Sequence, residues 1–309
     1  DLHLSIRRQR MLCIRDSINP AHEELVGRIV KESLPDCFVS LSTNILPQKR
    51  EYERTSTTVI NAYVGPPVRD YLGEMIQQLT TNGITERLMV MQSSGGILDA
   101  ESCLEKPAHI VECGPAAGVV GAEYIARNAG FKNVLTLDMG GTTAKASIIE
   151  GGSFSLADEY EVGGGMSSSS ALVGKGGYAL KLPVIDIAEV GAGGGSLAWL
   201  DGAGSLKIGP ESAGANPGPA CYSQGNENPT VTDANLVLGY LNPEALAAGT
   251  VPINKKLEEQ AIQKYIAKPM KLDLMETAYG IHSVANAAMM RAVRAVTTSV
   301  SYTHLTLPT

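Results

Sequence analysis

The sequence predicts an α/β fold on three observations. Apolar, strand-like runs such as 133–138 and 143–150 alternate with helical stretches such as 115–128 and 275–298. Of the 309 residues, 44% are hydrophobic and 18% are charged, enough to build a core and too apolar for a disordered chain. The 33 glycines cluster in loops and at strand ends, which excludes a collagen-like repeat. No uncharged apolar run reaches the ~20 residues needed to span a bilayer, so no membrane segment is expected. A net charge of −7 argues against a general nucleic-acid-binding surface.

The two ends read differently from the rest. Residues 1–17 are basic and carry no clear period, and 299–309 stop a helical pattern abruptly. Cys13 to Ser17 can be encoded by TGTATAAGAGACAG plus one base. Its reverse complement contains codons for Val300 to Thr303. These nucleotides resemble a transposon end used in preparing sequencing libraries, so both ends are expected to be translated adapter and are set aside. Without residues 1–17, Lys plus Arg falls from 25 to 21 and Asp plus Glu from 32 to 30, a net charge of −9. The remaining cysteines, 37, 103, 113 and 221, form no Cys-x-x-Cys pair, which excludes a zinc ribbon or thioredoxin motif. Scattered thiols of this kind fit a reducing cytoplasm.

Each element has a local reason. Residues 20–33 read as a helix with Asn19 as cap and Pro20 in the first turn. Residues 37–42 (CFVSLS) read as a short strand. Residues 51–79 are mostly helical, with Gly65-Pro66-Pro67 expected to break or kink them. Residues 87–92 read as a buried strand ending at the turn Ser93 to Gly96. A small-residue helix follows at 115–128, with Gly130 placed as its C-cap. Strands at 133–138 and 143–150 turn again at Gly151-Gly152. The stretch 163–218, dense in Gly, Ser and Pro, is expected to hold several strands and functional loops. Helices follow at 232–241, 255–266 and 275–298.

The strongest chemical signal is the run Leu135 to Thr143. An apolar strand delivers Asp138 to its end, Gly140 and Gly141 follow, and Thr142 and Thr143 open a second strand. Glycines let backbone N–H groups approach a phosphate, and successive N–H groups form an anion nest. The two threonines can add hydroxyl donors. Asp138 can hold Mg²⁺, through water, or orient an attacking water. The alternative is an ordinary hairpin with a glycine turn. The second signal is Gly191 to Ser196, where Gly193, Gly194, Gly195 and Ser196 suit a backbone passing close to a ligand; a flexible connection is the alternative. Strand-like residues follow it, so it is not the dinucleotide fingerprint, and no Gly-Lys-Ser/Thr closes a Walker A loop. The third is the Gly/Pro loop 209–222, either a pocket wall or a structural wrap.

Other residues are weighed more briefly. His22 reads as a capping or surface residue, and His109 as a weak substrate-site candidate. Glu51, Glu53 and Arg54 read as helix-terminus charge with an ion pair. Asp233 reads as a helix cap and Trp199 as core. Lys145 contacts phosphate or is a solvated strand lysine, and Lys175 could meet an anion.

In order, these pieces resemble the actin-like ATPase superfamily, in which a small-residue helix precedes a phosphate hairpin. More narrowly, the chain resembles the hydantoinase A/oxoprolinase family. The matching stretches are NPAHE (19–23), EYERTSTTVINAYVGP (51–66), MQSSGG (91–96), CGPAAGVVGA (113–122), LDMGGTT (137–143), VGAGGGS (190–196), GPESAGANPGPACY (209–222) and PTVTDANLVLGYL (229–241). The resemblance implies a two-lobed fold of duplicated ribonuclease-H-like units, incomplete at both ends. The end of the first lobe and its linking helix would fall in 18–132, and much of the second lobe in 133–298. It implies ATP and Mg²⁺ as cofactors and hydrolysis of a cyclic amide such as 5-oxoproline or a hydantoin, with ATP activating the amide oxygen. It also implies a partner subunit or domain of hydantoinase B type. The family's first Asp-x-Gly-Gly-Thr motif is absent, so half of the phosphate clamp is expected upstream. Ala144-Lys145 stands where many members carry Ser/Thr-Asp, a variant that resembles the ATP-using subunit of acetone- or acetophenone-type carboxylases at least as much. A nucleotide-binding module without chemistry of its own is the alternative of another class.

Overall fold

The computed structural model describes residues 19–162, 177–244 and 252–303, with side chains through 298. Residues 1–17, Lys175 and the last residues of the expected tail lie outside the described residues. In chain order the first helices are α1 (Ala21–Ser33), α2 (Ser42–Ile45) and α3 (Glu51–Thr81). The hairpin β1 (Met89–Met91) and β2 (Ile97–Asp99) leads into α4 (Ala100–Glu105) and α5 (Cys113–Asn128). Strands β3 (Val134–Met139), β4 (Ala144–Glu150), β5 (Ser153–Phe154), β6 (Leu156–Ala157) and β7 (Tyr160–Val162) follow. Next come β8 (Tyr178–Leu180), β9 (Val184–Ile185), β10 (Ala188–Val190), β11 (Ser196–Leu200) and β12 (Leu206–Ser212). The chain closes with α6 (Val231–Val237), α7 (Lys255–Ile262), α8 (Lys268–Met270) and α9 (Leu274–Thr303). This is a mixed α/β chain, as the sequence predicts. Among the described residues no helix is long and apolar enough to cross a membrane.

The chain divides into two compact units, Asp1–Lys132 with Glu150–Asp186, and Asn133–Ile149 with Ile187–Thr309. In the first, α1 starts where expected, its Ala21 N–H donating to Asn19 Oδ1 at 3.2 Å. Residues 37–42 form no strand: they pair with no strand among the described residues, and the chain enters α2 at Ser42. Gly65-Pro66-Pro67 does not break α3, which runs as one helix of 31 residues. Tertiary packing overrides the prolines. A Cβ at Gly65 would sit 2.3 Å from the Phe38 ring, and the buried Asn61 takes the Ala108 N–H at 3.0 Å. The β1 strand is half exposed rather than buried, because among the described residues it pairs only with β2. One core gathers Ile60, Ala108, Tyr160, Leu180, Leu182 and Val184, and another gathers Leu72, Ala100 and Cys103.

The ion pair expected of Glu51, Glu53 and Arg54 forms at Arg54, with a partner outside that motif. Arg54 is buried and pairs at 3.4 Å with Glu23, which is equally buried. Glu23 also accepts the hydroxyl of Ser42 at 3.0 Å and its backbone N–H. Arg54 and Glu23 therefore tie α1, α2 and α3 together.

The second unit holds an antiparallel sheet in the order β10–β4–β3, in which Leu137 faces Ala146 and Asp138 faces Lys145. β11 and β12 form a separate ribbon with a bulge between Ser196 and Ala198. The core beneath the ribbon is Ala198, Val231, Ala234, Ile262, Ala278, Ile281 and Ala285. α6 ends earlier than expected because Gly239 turns the chain at φ +74°, a conformation that suits glycine. Trp199 is not core: it is 44% exposed and its indole N–H donates to the Gly209 carbonyl at 2.9 Å.

Candidate functional site

The site begins with the β3–β4 hairpin. The Gly140 N–H closes the turn on the Thr143 carbonyl at 2.9 Å. The N–H groups of Gly141, Thr142 and Thr143 donate to no acceptor among the described residues. Gly141 and Thr142 are exposed, and a Cβ at Gly141 would meet nothing within 4 Å. The turn thus presents consecutive backbone donors to open space, the arrangement that attracts an anion. Asp138 stands exposed two residues before Gly140, next to last in β3.

The two glycine motifs, 52 residues apart from Gly141 to Gly193, meet here. Gly194 N–H donates to the Gly140 carbonyl at 2.9 Å, and Gly195 N–H to the Gly141 carbonyl at 2.6 Å. These bonds occupy the carbonyl side of the turn and leave its N–H side clear. A Cβ at Gly193 would lie 2.7 Å from Gly140 O. Glycine is required at 193 by this backbone-to-backbone approach, so the motif's first duty is to hold the hairpin. Ser196 completes the loop, its hydroxyl accepting the Gly193 N–H at 2.8 Å.

Sequence reasoning missed the layer behind this loop. Thr232 N–H donates to the Gly194 carbonyl at 2.8 Å, tying the loop to the start of α6. Asp233 is fully buried and is more than a helix cap. Its carboxylate accepts Thr230 N–H and Thr230 Oγ1, both at 2.8 Å, Cys221 N–H at 2.9 Å and Ala220 N–H at 3.2 Å. It therefore ties the Gly/Pro loop 209–222 to α6. Glu258 is also buried, and its Oε2 has no hydrogen-bond partner among the described residues. Burial first, then the charge of Asp233, pushes its pKa up to about 7. Burial, reinforced by Asp233, pushes the Cys221 thiol far up, so it is no nucleophile at neutral pH. The three-residue spacing of a capping box, Thr230 to Asp233, was the one signal of this node in the sequence.

The remaining candidates fall elsewhere. Lys145 neither lies solvated nor points away from the site; its ammonium bonds Glu189 at 3.1 Å and Thr143 Oγ1 at 2.9 Å. His109 belongs to the other unit, with its pKa lowered by burial and then by Lys106. His22 is exposed on α1. Among the described residues no three His, Cys, Asp or Glu side chains are grouped to hold a metal ion.

Comparison with known proteins gives this arrangement a context. An uncharacterized protein of Methanocaldococcus jannaschii is 46% identical over 284 residues, covering 92% of this chain and 41% of the relative. The caprolactamase subunit alpha of Pseudomonas jessenii is 37% identical over 284 residues, 92% of this chain and 39% of the relative. The nucleotide-free structure of acetone carboxylase, from work on ATP-dependent acetone carboxylation, matches with a TM-score of 0.76 and 28% identity, over 91% of this chain and 38% of that one. The chain thus spans about two fifths of the length of these relatives. The hydantoinase/oxoprolinase family profile matches residues 54–306, a stretch that includes the hairpin, the glycine loop clasped to it and the Asp233 node, and the chain belongs to that family.

Proposed function

We propose that this chain is part of an ATP-dependent hydrolase that opens a cyclic amide of the hydantoin or 5-oxoproline type. The observation that carries the reading is the Gly141–Thr143 turn, with its unpartnered N–H groups facing open space beside Asp138. These donors and the Thr142 and Thr143 hydroxyls fit a phosphate group. Asp138 fits Mg²⁺ as one carboxylate ligand, because Mg²⁺ commonly keeps waters and phosphate oxygens for its other positions. Bound ATP supplies the phosphoryl group that activates the amide oxygen. The chain's own part is to bind the phosphate, fix the turn through Gly193 to Ser196 and hold Asp138 beside it. Family membership and the lactam-directed name of the Pseudomonas relative support the cyclic-amide class.

On this reading the fold is of the actin-like ATPase type, the compartment is cytoplasmic, and a partner of hydantoinase B type completes the enzyme. A second reading, the ATP-using subunit of an acetone- or acetophenone-type carboxylase, is favoured by the likeness to acetone carboxylase and by Lys145. The test is phosphate release by the complete polypeptide with its partner. The expected result is ATP hydrolysis that depends on 5-oxoproline, a hydantoin or a lactam. Dependence on a ketone plus bicarbonate selects the carboxylase. Hydrolysis without substrate, or none with any of these, counts against both and leaves a nucleotide-binding module.

A further inference from the structure

Three charged residues stand in a row across the sheet of the second unit. The register sets Glu189 on β10 opposite Lys145 on β4, and Lys145 opposite Asp138 on β3. Residues paired in this way share a face of an antiparallel sheet, with Cβ atoms about 4.5–5.5 Å apart. Thr136 and Ser147, the next pair along that face, carry no charge. Lys145 therefore has a carboxylate on each side, and it does not treat the two alike. Its ammonium bonds Glu189 Oε1 at 3.1 Å and Thr143 Oγ1 at 2.9 Å. Asp138 has no ion pair or side-chain hydrogen bond among the described residues.

The difference has an electrostatic cause. The Lys145 and Glu189 side chains are only 19% and 18% exposed, whereas Asp138 stands in water. Attraction between opposite charges is stronger where water is excluded, so the lysine leans to Glu189. With Glu189 neutral, the opposite carboxylate, Asp138, becomes the partner of the same ammonium. A carboxylate already paired with an ammonium is a poor ligand for a divalent cation, because the cation must first displace it.

We propose that Glu189 is a positioning residue that holds Lys145 off Asp138 and so keeps that carboxylate open for Mg²⁺. Held this way, Lys145 also donates to Thr143 Oγ1, which directs the hydroxyl's own proton to another acceptor, such as a phosphate oxygen. The inference rests on the reading of Asp138 as a Mg²⁺ ligand and adds to it a residue two strands away.

Calorimetric titration of the complete enzyme with ATP at graded Mg²⁺, with substrate absent, tests the proposal through binding. Glu189→Gln is expected to raise the Mg²⁺ concentration for half-maximal ATP binding about 5-fold. Adding Lys145→Met should return the requirement to that of the parent, because the competing ammonium is gone. A role in sheet stability alone predicts the reverse, since the double variant loses more contacts. An unchanged requirement in Glu189→Gln, or no recovery in the double variant, overturns the proposal. So does a raised requirement in Lys145→Met alone, the variant to use where Glu189→Gln does not fold. Crystal structures without nucleotide give a second measurement: in Glu189→Gln the Lys145 ammonium should lie within about 4 Å of the Asp138 carboxylate. An ammonium still on Thr143 alone, or turned to solvent, overturns the proposal and leaves the phosphate turn standing. ATP binding by the parent that is absent or independent of Mg²⁺ removes the metal reading of Asp138 first, and this inference with it.

Discussion

Gly193 lies so close to Gly140 that a Cβ on Gly193 would stand 2.7 Å from the Gly140 carbonyl oxygen and equally near backbone carbons of Gly141 and Thr142. Backbone cannot yield as a flexible side chain can. Gly193→Ala is therefore expected to cost about 1–3 kcal/mol or more of stability. Gly141→Ala should cost well under that, since its Cβ would enter open space. Paired urea denaturation curves check the contrast. Equal losses for the two variants would show that the clasp is not the constraint.

The same geometry separates folding from binding. If the open side of the turn receives phosphate, Gly141→Ala should weaken ATP binding by the complete enzyme about 10-fold while leaving Tm unchanged, since a methyl group there displaces the ligand alone. Calorimetric titration with ATP and Mg²⁺ reads this directly. Unaltered affinity would move the phosphate elsewhere.

Asp138 is exposed, and no hydrogen bond of its side chain is found among the described residues, so it contributes little to folding. Asp138→Asn keeps its shape and removes its charge. Substrate-dependent phosphate release by the complete enzyme is expected to fall at least ~100-fold, with the melting curve unmoved. Retention of full turnover would remove Asp138 from the chemistry.

Asp233 is the structural counterpart of Asp138, buried where the other is exposed. Four donors from residues 220, 221 and 230 converge on its carboxylate. Asp233→Ala leaves those donors buried and unpaired, so the loss should be about 3 kcal/mol or more. Amide exchange should quicken first at Ala220 and Cys221. A loss confined to α6 would reduce Asp233 to a helix cap.

Much of this was legible in the sequence where local chemistry decides. The hairpin and its Asp138-x-Gly-Gly pattern follow from strand periodicity and glycine turns, and the end of α5 follows from Gly130, at φ +82°. What the sequence hid are choices made between distant segments. Gly193 reads equally as flexible linker or ligand contact, because only the folded chain places it against Gly140. Arg54 reads as a helix-terminal charge with a local ion pair, because Glu23, its buried partner, lies 31 residues away. Pro66 and Pro67 read as a break, because the packing of Phe38 on Gly65 and of Asn61 on Ala108 is not local. The strand expected at 37–42 does not form, since no strand among the described residues pairs with it.

Glu258 gives this unit one pH-dependent contribution to its stability. Its carboxyl titrates near pH 7 in the folded chain against an ordinary 4.5, because burial and the neighbouring Asp233 disfavour the charged form. The native state therefore binds more protons than the unfolded state between these values. Stability should fall as pH rises from about 4.5 to 7 and stay level above, as far as this group is concerned. Glu258→Gln removes the charge that must be buried. Relative to the parent, the variant should gain stability across that window, up to about 3 kcal/mol by pH 8. Denaturation curves collected from pH 4 to pH 8 check the prediction by their difference, which cancels every other titrating group. Parallel curves would mean that Glu258 ionises in the folded chain as freely as in the unfolded one.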